Sequence, residues 1–347
     1  MCRNCVLARP VGGGCPFRQR WPWIGPDLQT LRDTLRPDRL PPEQGLPLAV
    51  PVGGADRLVV LVDRPAPAAE PKALVLLLHG LAGDSGRPGV RRLALLLQHA
   101  GFAVWRPNLR GAGLSRSTSR GTYAATCNAD LLPLLAEARR RAADLPLLAV
   151  GLSLGGTILL NALLEQPGAL DGLACVSSPL DLEACSLQID RPRNRLYARW
   201  LLRRLIAQTL ADPAWPAAAT DLKRLRRIRA FDARITAPRW GYDSAEQYYA
   251  AASPLLRLQA AAVLPPLLLL HALDDPWVPV LATQRLGEAP PAGVQVLLTE
   301  RGGHNGFHGG GPCRGWRAAA GSLPASWADR AVLAWLAAQA GGSPASW

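Results

Sequence analysis

The segment Gly151-Leu152-Ser153-Leu154-Gly155, with Gly156 behind it, spaces a serine between glycines as a tight G-x-S-x-G turn does. A serine hydroxyl in such a turn is a candidate nucleophile for acyl transfer, provided a base can take its proton and an acid can orient the base. On this kind of turn the partners follow in chain order, first the acid and then a histidine. Both are present downstream. The run Leu267 to Pro279 reads as a buried strand, with His271 in it, that ends in Asp274-Asp275-Pro276. Asp275 sits where an acid loop would hold an imidazole, and Asp274 is expected to cap the next turn. The chain then offers Glu300-Arg-Gly-Gly-His304-Asn-Gly-Phe307 on a glycine-rich stretch, followed by His308. His304 is the expected base, with His308 as the alternative and His271 as a packed strand residue.

Acyl transfer also requires two N–H donors aimed at a developing oxyanion. The residue after the nucleophile, Leu154, supplies one. The other is expected from His79-Gly80-Leu81-Ala82-Gly83, with Leu81 as donor and His79 and Gly80 shaping the turn. His79 lacks neighbouring ligand types that would make it a metal site, and no metal or organic cofactor is called for by these residues.

These groups must be carried by a scaffold. Ala73 to Leu78 and Leu145 to Val150 are continuous apolar runs, as strands buried on both faces require. Leu58 to Val62, Ala103 to Arg106, Leu173 to Val176, Leu267 to Ala272 and Val294 to Leu298 read as further strands. Helices are expected at Val90 to Ala100, Cys127 to Ala143, Gly155 to Leu164 and Ala325 to Gln339. The alternation predicts an α/β class protein: a mostly parallel sheet with helices on both faces. A strand, Leu145 to Val150, enters the serine turn and a helix leaves it, which makes the turn a nucleophile elbow.

The interval between Val176 and Leu267 is far longer than one crossover needs. Helical segments at Arg195 to Leu210, Ala217 to Ile228 and Ala245 to Ala252 predict a helical cap over about residues 180–262, inserted before the acid-bearing strand. Residues 1–45, rich in Gly, Pro and Arg, read as an irregular leader to a domain spanning 46–347.

The chain has 347 residues and is 49% hydrophobic and 19% charged, a balance that excludes wholesale disorder. No apolar run reaches the roughly 18 residues of a membrane helix, and no secretory segment is evident. A cytoplasmic protein is expected. The formal charge of +13 raises the question of nucleic acid. Only two of the 39 basic residues are lysines, Lys72 and Lys223, so the excess reads as arginine-rich codon usage, and no nucleic-acid motif accompanies it. Residues 181–240 nonetheless hold 13 Lys+Arg against six Asp+Glu. Within them Arg199, Arg203 and Arg204 flank Trp200 and Leu201, a basic amphipathic pattern that suits weak attraction to anionic membrane surfaces. The seven cysteines are scattered and odd in number, which argues against a disulfide framework, and Cys2-x-x-Cys5 lacks the second half of a zinc site.

From Pro26-Asp-Leu-Gln-Thr30 to the last helix the chain resembles the YheT-like (embryogenesis-associated) α/β-hydrolases, relatives of the abhydrolase-domain esterases and lipases. The likeness rests on His79-Gly-Leu-Ala-Gly83, Arg110-Gly111, the Ser153 turn, Leu182-Glu-Ala-Cys-Ser186, Arg226-Arg-Ile-Arg229, Phe231-Asp232, Gly241-Tyr242, Tyr248-Tyr249, Ala272-Leu-Asp-Asp-Pro276 and Gly302-Gly-His304. The cap motifs carry most of the specificity, because unrelated hydrolases do not share them. Where members carry His-Ser-Gly after the tyrosine matching Tyr123, this chain has Ala124-Ala-Thr126, so a substrate contact made there does not carry over. The resemblance implies a charge relay of Ser153, Asp275 and His304 and carboxylesterase or acylglycerol-lipase activity on a small-molecule ester, including lipid esters. The same triad also serves thioesterases, peptidases and acyltransferases, and a non-catalytic scaffold can keep the fold.

Overall fold

The computed structural model describes residues 16–66, 69–215, 220–309 and 323–341. Its strands are β1 (Leu46–Gly53), β2 (Asp56–Asp63), β3 (Leu74–Leu78), β4 (Ala103–Pro107), β5 (Leu147–Leu152), β6 (Gly172–Val176), β7 (Leu267–Ala272) and β8 (Val294–Thr299). They form one sheet in the order β1-β2-β4-β3-β5-β6-β7-β8. The pairs β1–β2 and β2–β4 are antiparallel and the rest are parallel. This is the α/β-hydrolase fold.

Side chains alternate across the sheet with the two-residue period of a strand. In β3, Leu74, Leu76 and Leu78 face one core layer, with Leu131, Leu134, Ile158 and Leu159. Val75 and Leu77 face the other, with Leu93, Leu97, Val332 and Leu336. Helices α3 (Asn128–Ala142) and α4 (Leu154–Glu165) therefore cover the first face. Helix α2 (Pro88–His99) and the closing helix α12 (Trp327–Gln339) cover the second. With both faces covered, an all-apolar strand such as β3 is what the architecture needs.

Register brings the strand ends level at one edge. Leu78 pairs with Gly151, Leu152 with Val176, Val176 with Leu270 and Ala272 with Thr299. The loops leaving β3, β5, β7 and β8 thus emerge together at the carboxyl end of the strands, where open α/β sheets place their ligands.

The cap follows β6: α5 (Leu182–Ile189), α6 (Arg195–Leu210), α7 (Ile228–Phe231), a π turn (Asp232–Thr236), α8 (Ala237–Arg239), α9 (Ala245–Ala252) and α10 (Leu255–Ala260). Helix α6 turns Ala198, Leu201, Leu202 and Leu205 inward at helical spacing, onto a small core with Ile189, Phe231 and Ala82. The helix expected over Ala217 to Ile228 is instead a short 3-10 turn, Thr220–Arg224, before α7 begins at Ile228, and 216–219 lie outside the described residues. Beyond the cap, α11 (Leu281–Glu288) links β7 to β8.

The N-terminal reading needs a larger correction. Within 1–45, Pro26–Leu35 form helix α1, so this part is not irregular. Its inward contacts are polar: Gln29 Nε2 donates to His308 O and Trp23 O, and Asp33 pairs with Arg92. Cys2, Cys5, Cys15 and Cys313 lie outside the described residues. Among the described residues Cys127, Cys175 and Cys185 are free thiols, and no helix is long and apolar enough to cross a membrane.

Candidate active site

Strand β5 enters the serine turn and α4 leaves it, with Ser153 between them at φ 53° and ψ −128°. A left-handed φ at a non-glycine residue is strained, and it lifts the side chain off the sheet edge. The flanking glycines permit the close approach this demands. A Cβ on Gly151 would stand 2.2 Å from the Gly156 Cα, and one on Gly155 would stand 2.6 Å from the Leu78 and His79 carbonyl oxygens. The Ser153 N–H bonds Val176 O at 2.8 Å, which ties the turn to the neighbouring strand.

Opposite the hydroxyl lies His304, on the loop after β8. Its Nε2 is 2.9 Å from Ser153 Oγ and its Nδ1 is 2.8 Å from Asp275 Oδ2. The loop is fixed from three sides. The His304 N–H donates to Thr30 Oγ1 on α1, Gly303 N–H to Asp274 Oδ1, and Asn305 N–H to Ser177 Oγ. Trp277 stacks on the imidazole, ring centres 4.6 Å apart.

Asp275 is almost wholly buried, and both of its oxygens are hydrogen-bonded. Its Oδ1 accepts from the N–H groups of Trp277 and Val278 at 2.8 and 2.9 Å. Its Oδ2 faces His304 and also His271, whose Nε2 stands 3.3 Å away. Burial alone would raise the carboxyl pKa, but the two imidazoles outweigh it and hold Asp275 well below the usual carboxylate range. An ionised Asp275 accepts at Nδ1, so the neutral imidazole carries its proton there and leaves Nε2 free to accept from the serine. The turn that Asp274 was expected to cap is capped by Asp275 Oδ1 instead. Asp274 Oδ1 accepts from the Gly303 N–H in the His304 loop, and burial pushes its pKa upward.

His308 is not part of this line. Its Nε2 lies 3.3 Å from Asp33 on α1 and its N–H donates to Gln29. His271 was expected only to pack, and the structure adds its contact with Asp275. Its Nδ1 is 2.9 Å from Thr283 Oγ1. A continuous apolar run hides such a residue, because position alone does not reveal what lies across from it.

The loop after β3 is built around one oxygen. Gly80 O lies 2.9 Å from His79 Nδ1, 3.0 Å from the Tyr123 hydroxyl and 3.1 Å from the Gly83 nitrogen. In a trans peptide C=O and N–H point opposite ways, so holding Gly80 O also aims the Leu81 N–H. The Leu154 N–H is the first of α4 and has no acceptor within the helix. Tyr123 and Thr30 were missed as contributors; nothing local in the sequence marks them.

His79 is locked in one tautomer. Its Nε2 accepts from the Leu109 N–H, 3.2 Å away, so Nδ1 carries the proton that Gly80 O receives. Burial pushes its pKa down to about 4. The unfolded chain, with an ordinary histidine value near 6.5, therefore takes the proton first. Stability is complete above that value and is lost as pH falls toward 4, by on the order of 3 kcal/mol for this residue. Urea unfolding at pH 7 and pH 4.5 should show a smaller acid loss in His79→Asn than in the parent chain; equal losses would contradict the assignment.

Ser153 and His304 open into a cavity of about 610 Å³ between sheet edge and cap. Leu182, Ile189, Leu201, Leu205 and Phe231 give it an apolar wall, and Arg87 and Arg204 stand in its lining as well. Among the described residues no group of three or more His, Cys, Asp or Glu is arranged to hold a metal ion.

Residues 69–308 match the family model for serine aminopeptidase, S33. The chain is similar to YheT of Escherichia coli, 34% identical over 255 residues that cover 72% of this chain and 74% of that one. It is similar to the yeast medium-chain fatty acid ethyl ester synthase/esterase 2 (Saccharomyces cerevisiae), at 30% identity over 67% of this chain, and to mouse phospholipase ABHD3, at 31% over 69%. It spans under three-fifths of the length of these two, 57% and 59%. Among solved structures, Est1E of Butyrivibrio proteoclasticus with ferulic acid bound superposes with a TM-score of 0.51 at 15% identity. That match covers 75% of this chain and 92% of Est1E, a likeness of fold.

Proposed function

The chain belongs to the YheT-like family of α/β-hydrolase esterases and lipases, and on that footing we propose that it hydrolyses carboxylic esters through an acyl-enzyme on Ser153. The observation that carries this reading is the continuous hydrogen-bonded line Ser153–His304–Asp275 at the floor of an apolar cavity. As His304 Nε2 takes the hydroxyl proton, Ser153 Oγ bonds to the acyl carbon. The carbonyl oxygen becomes an oxyanion held by the Leu81 and Leu154 N–H groups. Collapse breaks the bond to the alcohol, which leaves with the proton from His304. Water then repeats the sequence and releases the acid. Asp275 stabilises the imidazolium formed at each stage.

The wall of aliphatic and aromatic side chains suits a short acyl chain or an acylglycerol, and the name of the yeast relative, a fatty acid ethyl ester synthase/esterase, supports an ester substrate. A fluorophosphonate probe should label Ser153 and block turnover of p-nitrophenyl esters of graded chain length. An unlabelled protein would mean a silent scaffold. Labelling without ester turnover would move the reading to a thioester, peptide or acyl-acceptor substrate.

We place the enzyme in the cytoplasm and extend the proposal to weak attraction toward anionic lipid. Helix α6 exposes Leu196, Arg199, Trp200 and Arg203. Arg204, expected on the same rim, turns to Ala82 O instead. Co-sedimentation with phosphatidylglycerol vesicles should be measurable at low salt, fall steeply by 0.5 M, and weaken in an Arg199→Gln, Arg203→Gln double variant. Equal binding to neutral vesicles would refute it.

A further inference from the structure

Arg87 and Arg204 come from distant parts of the chain, the residue before α2 and the second half of α6, and meet in the wall of the Ser153 cavity. They meet on one atom. Arg87 Nη2 and Arg204 Nε both donate to Ala82 O, at 3.2 and 3.0 Å. Each guanidinium also lies over the Trp200 ring, 5.7 and 5.2 Å from its centre. Two like charges are thus fixed side by side in a partly desolvated place. Burial, and then the Arg204 charge, lower the pKa of Arg87.

Their surroundings differ from those of six other sheltered arginines. Arg92, Arg106, Arg110, Arg116, Arg229 and Arg239 each have a carboxylate within 4 Å. Among the described residues Arg87 and Arg204 have none. The shared carbonyl occupies one nitrogen of each, and their remaining N–H groups have no protein acceptor among the described residues. The Asp84 carboxylate acts on Arg87 through space without an ion-pair contact. Two guanidiniums with no bonded counter-ion repel each other until an anion bridges them, and their fork geometry matches carboxylate and phosphate oxygens.

We propose that Arg87 and Arg204 form an anion subsite, and that the substrate is an ester bearing a carboxylate or phosphate a few bonds from the scissile carbonyl. The short reach follows from the chain: Ala82, which both arginines grip, is the residue after Leu81. The inference rests on the ester-hydrolase reading above and narrows it. A competing account makes the two arginines a clamp on the Leu81 loop alone; that account predicts that losing them slows every ester equally.

The test compares matched pairs that differ only in charge. With the anion on the acyl side, mono-p-nitrophenyl glutarate is set against p-nitrophenyl methyl glutarate. With the anion on the alcohol side, butyryl glycerol phosphate is set against monobutyrin. In one of the two pairs kcat/KM should favour the anionic ester by about 10- to 100-fold, the scale of a charged hydrogen-bonded pair. The favoured pair identifies the side on which the charge sits. The preference should shrink in 0.5 M NaCl and in Arg87→Gln or Arg204→Gln, vanish in the double variant, and reverse in Arg204→Glu. Preference ratios near one in both pairs, or an equal loss on charged and neutral esters in the variants, would overturn the subsite and leave the ester-hydrolase reading standing. Absence of turnover on all four esters, with no fluorophosphonate labelling, would overturn that reading and the subsite with it.

Discussion

Ser153→Ala is expected to lower kcat for p-nitrophenyl esters by about 10⁴- to 10⁶-fold while leaving the folded structure in place. The size follows from the covalent step. With no Oγ, His304 has nothing to activate, and the N–H groups of Leu81 and Leu154 can stabilise only the slow direct attack of water. The fold should tolerate the change because among the described residues Oγ bonds no group but His304, while the N–H to Val176 O belongs to the backbone and remains. Alanine meets the same strain at φ 53° that serine already bears. Unfolding midpoints within a few degrees of the parent, together with the loss of turnover, are the expected pair of measurements. A variant that keeps a tenth of the parent rate would remove Ser153 from the mechanism.

How much of this arrangement the sequence disclosed depends on what kind of contact each part makes. Strands β3, β5 and β7 are legible because burial on both faces forces continuous apolar runs, and the serine turn is legible because its glycines have no substitute. Helix α6 is legible because its inward face is aliphatic at helical spacing. Helix α1 is not, since the groups it turns inward are Gln29 and Asp33, and hydrophobic periodicity cannot register a polar interface. Strand β1 is masked for a different reason. It carries Pro47 and Pro51 and alternates weakly, which an edge strand tolerates because one side of its ladder is unpaired. The partners of the site divide the same way. Ser, Asp and His can be ordered along the chain, but Thr30 under the His304 loop, Tyr123 on Gly80 O and His271 beside Asp275 act through distances between segments far apart in sequence. No local pattern encodes those.

The two adjacent aspartates should respond very differently to the same change, and the reason lies in who donates to each oxygen. Asp275 Oδ1 receives two backbone N–H groups, from Trp277 and Val278. In Asp275→Asn that position must remain an acceptor, so the amide oxygen takes it and the NH₂ is forced to the Oδ2 side. There it faces His304 Nδ1. A donor at that point obliges Nδ1 to accept, which moves the imidazole proton to Nε2, where it points at Ser153 and cannot receive the hydroxyl proton. The imidazolium also loses its counter-charge. Together these effects should lower kcat by about 10³- to 10⁴-fold with KM little changed, the size seen when a triad acid is made neutral in place. Asp274 presents a single used oxygen, Oδ1, to Gly303 N–H, while Oδ2 has no partner among the described residues. The amide oxygen of Asp274→Asn can keep that bond, and the NH₂ fills the unpaired position. Activity should fall by less than about tenfold, with any loss shared between kcat and the stability of the His304 loop. Measuring kcat and KM for both variants on one ester decides the matter. Equal losses, or a larger loss at Asp274, would mean that the imidazole is oriented by a group other than Asp275.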